Sequence, residues 1–283
     1  MFVINPDQYS LPAYRIGPFT TKDLTANHLI HSNQNLDLNG LNGYLKNRFG
    51  ENYCYTINGR EAINIALQSY NLKKTDLVTI ITTSQNFYIS GCVTKEIEKF
   101  CRWNREIETE TKIILVNHEF GYIYPEMDYL VSLGIPIIED CCTTFFSQNK
   151  NGKVGKYGDF AAYSFPKFFP IQIGGLLVKN SDAAKNGSFS LDDETTQYIS
   201  RVISVCIRRL EQILTERREI YNYALESFNE LGFTERFLTD DLTVPSVLML
   251  KNNMIVKDLP TLKIHLWNHG IQSSLFYKED AFF

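Results

Sequence analysis

The 283-residue sequence predicts an α/β protein: a mostly parallel sheet covered by helices, followed by a smaller C-terminal α/β unit. Three observations carry that prediction. From about residue 50 to 180, short and nearly continuous apolar runs alternate with helix-like stretches, the pattern of strands buried on both faces. A helical periodicity then runs from about Thr196 to Leu231. Beyond it, the chain reads strand, helix, strand. The predicted division is residues 1–190 for the large α/β domain with its N-terminal segment, and 191–283 for the long helix and small domain.

Each element has its own signal. "GREAINIALQSYNL" (59–72) places Ala62, Ile63, Ala66, Leu67 and Tyr70 on one helical face. "LVTIITT" (77–83) and "KIILVN" (112–117) are β-branched runs of strand length. "PEMDYLVSLG" (125–134) opens on proline and closes on glycine, which brackets a helix. "IPIIED" (135–140) is a buried strand ending in two carboxylates, and "FAAYSF" (160–165) and "GGLLVKN" (174–180) complete the series. "NSDAAKNGSFSLDDE" (180–194) is polar and loop-like. In the long helix, Ile199, Ile203, Cys206, Leu210, Ile213, Ile220, Ala224 and Phe228 keep spacings of three, four or seven. Arg208-Arg209 and Arg217-Arg218 read as its solvated face, paired with Glu211, Glu216 and Glu219.

A net charge of −4 gives no reason to expect a nucleic-acid or membrane-surface partner. No apolar run reaches the ~20 residues that span a bilayer. The N-terminus lacks a signal-peptide pattern, so the expected location is cytoplasmic. The six cysteines form no CxxC and no zinc spacing; they read as free thiols, and no metal site is expected.

In open α/β sheets, ligands gather beyond the carboxyl ends of the strands. Glu139 and Asp140 follow one strand, and Lys167 follows another within the uncharged stretch "YSFPKFFPIQIGG" (163–175). "INGR" leads into a helix N-terminus, whose free N–H groups and dipole suit a phosphate. A lysine, a strand-end carboxylate and a phosphate cradle are the protein parts that pyridoxal phosphate requires.

"IPIIEDCCTTFFSQNKNGKVGKYGDFAAYSFPKFFPIQIGG" (135–175) resembles the DegT/DnrJ/EryC1/StrS aminotransferases, fold-type-I pyridoxal-phosphate enzymes acting mostly on nucleotide-linked keto-sugars. Glu139-Asp140, Gly155, Gly158-Asp159, Ser164-Phe165, Lys167 and Gly174-Gly175 follow the family's order. The resemblance implies pyridoxal 5'-phosphate as cofactor, Lys167 as the Schiff-base lysine and Asp140 as the partner of the pyridine nitrogen. It further implies that Ser164, Gly59, Arg60 and Glu61 hold the phosphate, that Phe87 or Tyr88 stacks on the ring, and that Thr143 lies near the ring oxygen. Implied partners are a nucleotide-sugar substrate, an amino donor such as glutamate, and a second copy in a homodimer.

This sequence also departs from the family pattern. Asn58-Gly59-Arg60 stands where Ser-Gly-Thr is usual, the Ser-Phe-Pro-Lys spacing is tight, and the segment after Gly175 is brief. Two alternatives stay open: another pyridoxal-phosphate chemistry, or a non-catalytic accessory protein that kept the fold. His118 reads as a hydrogen-bonded structural histidine, and Tyr277 as core or site lining.

Overall fold

In the computed structural model, which describes residues 18–20, 22–86, 89–181 and 191–269, the apolar runs lie side by side in one seven-stranded sheet. Two helices precede it, α1 (Asp23–Ser32) and α2 (Asn39–Phe49). In chain order there follow β1 (Tyr53–Thr56), α3 (Gly59–Gln68), β2 (Leu77–Thr82), α4 (Gly91–Glu98), β3 (Arg102–Asn104) and β4 (Thr111–Asn117). Then come α5 (Met127–Ser132), β5 (Ile137–Asp140), β6 (Phe160–Ser164), a single 3-10 turn at Phe165–Lys167, and β7 (Gly175–Lys179). The sheet order is β1-β7-β6-β5-β4-β2-β3. Only β7 runs against its neighbours, so the sheet is mostly parallel as predicted.

The five strands expected between residues 77 and 180 all form. β1 and β3 are additions: "YCYT" is only partly buried and "RWN" is short and polar, so neither shows an apolar run. Their places at the two sheet edges explain why they can be so.

Alternation along the strands divides the core in two. Ile113 and Leu115 of β4, Ile138 of β5, and Phe160 and Ala162 of β6 face α3 and α4. Ile114, Val116 and Ile137 face α5, while Ala161 and Tyr163 face a phenylalanine-rich cluster under α2 and the next helix. That cluster contains Phe145, Phe146, Phe165, Phe168 and Phe169, all buried, with rings stacked edge-on or tilted at 5.0–6.0 Å. Each buried phenylalanine stabilises the fold by about 1.5–3 kcal/mol, and each ring pair adds roughly 0.5–1.5 kcal/mol. The apolar neighbours of Lys167 are therefore core residues.

The long helical pattern is two helices, α6 (Asp193–Arg208) and α7 (Leu210–Glu230), parted at Arg209 with φ −108° and ψ 19°. Periodicity runs through the break because neither glycine nor proline marks it. Ile199, Val202, Ile203 and Cys206 of α6 enter the phenylalanine cluster. The described C-terminal part contains a two-stranded ribbon, β8 (Thr234–Glu235) with β9 (Leu250–Lys251), and α8 (Leu259–Asn268). The strand read at 270–277, with Tyr277, lies outside the described residues. Among the described residues, no helix is long and apolar enough to cross a membrane.

Candidate functional site

The site assembles at the carboxyl edge of the sheet, on the face covered by α3. Register pairs Asn117 with Asp140, and Asp140 with Ala162. Side chains alternate along a strand, so Asn117, Asp140 and Ser164 share the face of Leu115, Ile138 and Ala162. Glu139 falls on the opposite face. Two adjacent carboxylates are thereby sent to two environments.

Asp140 is buried and held by two bonds. Asn117 Nδ2 donates to its Oδ2 at 2.7 Å, and the Cys142 amide donates to its Oδ1 at 3.0 Å. An ionised carboxylate has about four lone-pair sites, so capacity remains for a further donor. Asn117 was not among the sequence candidates, although it ends a strand and the strand-end argument would have reached it.

Asn58 caps α3: its side chain accepts from the Glu61 amide at 3.0 Å, while the Glu61 carboxylate accepts from the Ile57 amide at 2.6 Å. Both ends of Glu61 are thus engaged in the cap. The amides of Gly59 and Arg60 have no acceptor among the described residues, and the Arg60 side chain is exposed. Gly59 is needed for closeness: a Cβ there would collide with Cys142 Sγ and approach Ser164 Cβ at 3.3 Å. Gly175 serves likewise, since a Cβ there would lie 2.8 Å from Thr56 Oγ1 and 3.1 Å from the Asn58 carbonyl carbon. The helix end, the Asp140–Cys142 loop and Ser164 are consequently in contact. No described group takes the Ser164 hydroxyl.

Lys167 lies one turn beyond Ser164, half-buried, and no described carboxylate is within ion-pair reach of it. Burial pushes the Cys142 thiol well up from its ordinary 9.0, Asp140 pushes it further, and Lys167 pulls it down. Thr143 Oγ1 donates to the His118 carbonyl at 3.0 Å and accepts from the Phe120 amide at 2.9 Å. Phe87 and Tyr88 lie outside the described residues.

On the other face, Glu139 is fully buried and saturated. Its oxygens accept from the amides of Gly155, Tyr157 and Gly158 at 2.7–2.9 Å and meet His118 Nε2 at 3.1 Å. His118 Nδ1 accepts from the Tyr124 amide at 3.1 Å, so its proton sits on Nε2 and is donated to Glu139. His118 is structural, as read from the sequence. His118, Glu139 and Cys141 lie within 4.8 Å of one another, yet the imidazole has no lone pair left for a metal. Asp159 is structural too, accepting from Tyr70 Oη at 3.0 Å.

Of the long-helix arginines, Arg208, Arg209 and Arg218 are exposed as read from the sequence; Arg217 is not, and among the described residues none pairs with Glu211, Glu216 or Glu219. Arg208 donates to the Asp37 carbonyl at 2.6 Å and Arg209 to Gln212 at 3.1 Å. Arg218 donates to the Asp241 carbonyl at 2.6 Å, and Arg217 is half-buried against Phe168. A long amphipathic cation on a helix stripe can turn its stem either way, so periodicity alone does not place it.

Residues 101–198 match the DegT/DnrJ/EryC1/StrS aminotransferase family. The GDP-perosamine synthase of Vibrio cholerae is 25% identical over 139 residues, a match spanning 41% of this chain and 38% of that protein's length. Among solved structures, the aminotransferase TlmJ from Streptoalloteichus hindustanus superposes with a TM-score of 0.73 at 16% identity, covering 94% of this chain and 85% of that one. DesV of S. venezuelae, solved in complex with a ketimine intermediate, gives 0.64 at 17% identity, over 88% and 79% of the two chains. The resemblance read from residues 135–175 therefore holds, and the fold is shared with these solved aminotransferases. The residues fit pyridoxal phosphate, the cofactor that the resemblance implies. Two free amides at a helix end, an uncommitted hydroxyl and a carboxylate with spare capacity share one face, and Lys167 is near enough to act on the Cys142 thiol there.

Proposed function

We propose that this chain, of DegT/DnrJ/EryC1/StrS type, is a pyridoxal-phosphate-dependent aminotransferase acting on a nucleotide-linked keto-sugar. It works as a cytoplasmic homodimer, takes its amino group from a donor such as glutamate, and supplies amino-sugars for surface polysaccharide or deoxysugar assembly. The observation that carries this reading is the convergence of Asp140, Ser164, Lys167 and the α3 N-terminus around Gly59 and Cys142.

When bound, the cofactor supplies an electron sink through its protonated ring. The Gly59 and Arg60 amides and the Ser164 hydroxyl hold the phosphate, helped by the helix dipole. The exposed Arg60 side chain can add a charge-assisted bond in place of the usual hydroxyl. Asp140, aimed by Asn117 and the Cys142 amide, holds a proton at the ring nitrogen, because an opposite charge favours the charged form. Lys167 would hold the cofactor through its amine and would move a proton at the substrate carbon. A sugar-nucleotide substrate is supported by the similarity to a GDP-sugar enzyme.

The test is chemical trapping. The protein supplied with pyridoxal phosphate is reduced with borohydride, digested and weighed, and the cofactor mass is expected on the Lys167 peptide and absent from Lys167→Ala. A mass found elsewhere, or none, sinks the proposal. Trapping at Lys167 without conversion by any amino donor would instead favour an accessory protein. Thermal shifts with nucleotide-sugars then narrow the substrate, since a ligand bound only by the native state raises its melting temperature.

A further inference from the structure

The segment from Phe165 to Gly174 folds back sharply to carry Lys167, and three helices hold it. Asn27 of α1 donates to the Pro170 carbonyl at 2.8 Å, and Tyr198 Oη of α6 donates to Gln172 Oε1 at 2.7 Å. Arg217 of α7 reaches the carbonyls of Lys167 and Phe168 at 3.5 and 3.3 Å, with its guanidinium carbon 5.2 Å from the Phe168 ring centroid. Of the three, only Arg217 acts on the lysine residue itself.

Its setting is costly for a group that only packs. Arg217 is half-buried, and among the described residues no carboxylate lies within ion-pair reach. Burial pulls its pKa below the ordinary 12.5, though a guanidinium stays charged at neutral pH. A half-buried cation with no counter-charge is compensated here by two carbonyl dipoles and a ring face. An apolar side chain would fill the same space without that desolvation cost. Its neighbour Arg218 has ordinary surroundings, exposed and bonded to the Asp241 carbonyl.

We propose that Arg217 is a positioning residue for Lys167, fixing the turn from which the amine is presented. One guanidinium nitrogen, Nη2, reaches both the lysine's own carbonyl and that of Phe168, while the guanidinium plane lies against the Phe168 ring. The inference rests on Lys167 being the covalent anchor. It also couples the site to α7, so displacement of that helix would reach the amine through one side chain.

The experiment uses the full chain titrated with pyridoxal phosphate, reading the borohydride-trapped fraction at Lys167, the absorbance maximum of the bound cofactor and the melting temperature without cofactor. In Arg217→Met the cofactor concentration for half-trapping should rise about tenfold, since small misplacements of a reacting group are costly. The absorbance maximum should move as well. Arg217→Lys keeps the charge without the planar guanidinium and should recover part of the loss, while Arg218→Gln should match the wild type. Unchanged half-trapping and absorbance in Arg217→Met overturn the proposal. So does a loss that follows melting temperature alone and that lysine does not rescue. If Arg217→Met does not fold, the comparison of Arg217→Lys with Arg218→Gln decides, and equality overturns it. Failure of the wild type to trap at Lys167 removes the functional reading first, and this inference with it.

Discussion

Glu139 and Asp140 are neighbours in one buried strand, yet the sheet gives them opposite tasks. Glu139 faces α5 with its oxygens occupied by three backbone amides and His118, which ties the Gly155–Gly158 loop to the sheet. Asp140 faces α3 with two donors and spare capacity, beside a helix end whose first amides are free. A buried carboxylate that is fully satisfied is architecture, and one left partly satisfied has capacity for a ligand. The period of two along β5 makes the division, and substitutions on each face should separate stability from chemistry.

The largest effect is expected from Glu139→Ala. Removing the carboxylate strands three buried amides, each worth about 1–3 kcal/mol, so denaturant melts should show a loss of at least ~3 kcal/mol. Asp140→Asn should do the reverse. Asn117 can turn its amide oxygen toward the new side chain, keeping stability within ~1 kcal/mol of wild type. The reaction with amino donor should slow by roughly 10²–10³, the usual scale for one preorganised electrostatic group. If Asp140→Asn unfolds the protein while Glu139→Ala melts normally, the assignment of the two faces is reversed.

The same contrast explains what the sequence could reveal. Strand-end chemistry was legible because β5 and β6 are continuous apolar runs with polar residues only at their ends, which makes Asp140 and Lys167 conspicuous. β1 and β3 were illegible because edge strands need no apolar run. Asn117 was visible but weighs little until its register against Asp140 is known. The contact between Gly59 and Cys142 joins residues far apart in the chain, and no local pattern encodes it. Arg217 was misplaced because an arginine's stem and head satisfy opposite surroundings, so its position on a helical wheel leaves its burial undetermined.

A smaller effect should come from Gly59→Ala, which forces a methyl group against Cys142 Sγ. Overpacking of this kind costs roughly 1–3 kcal/mol and should move the α3 end away from Ser164, weakening cofactor binding. Gly59→Ala with Cys142→Ala removes both the clash and its partner. A double-mutant cycle should therefore return most of the lost stability. Additive losses would show that the two residues do not meet.

The last effect carries the comparison to the next pair of residues. Cys141 continues the Glu139 face and Cys142 the Asp140 face, both thiols are buried, and both are held well above 9.0, chiefly by burial. Below pH 9 the folded and unfolded thiols are both protonated and their contribution to stability is constant. Above it the unfolded chain ionises while the folded chain keeps its protons, so stability falls as pH rises, by at most about 1.4 kcal/mol per unit for each thiol. Urea melts between pH 8 and about 10.5 should show that fall. Cys141→Ala and Cys142→Ala should each make it shallower. Lys167 pulls down the Cys142 thiol and is absent from the influences on Cys141. Because the folded thiols stay protonated across this range, Lys167→Ala should leave the fall unchanged. A shallower fall in wild type than in Lys167→Ala would show that Lys167 brings the folded Cys142 thiol into the titrated range.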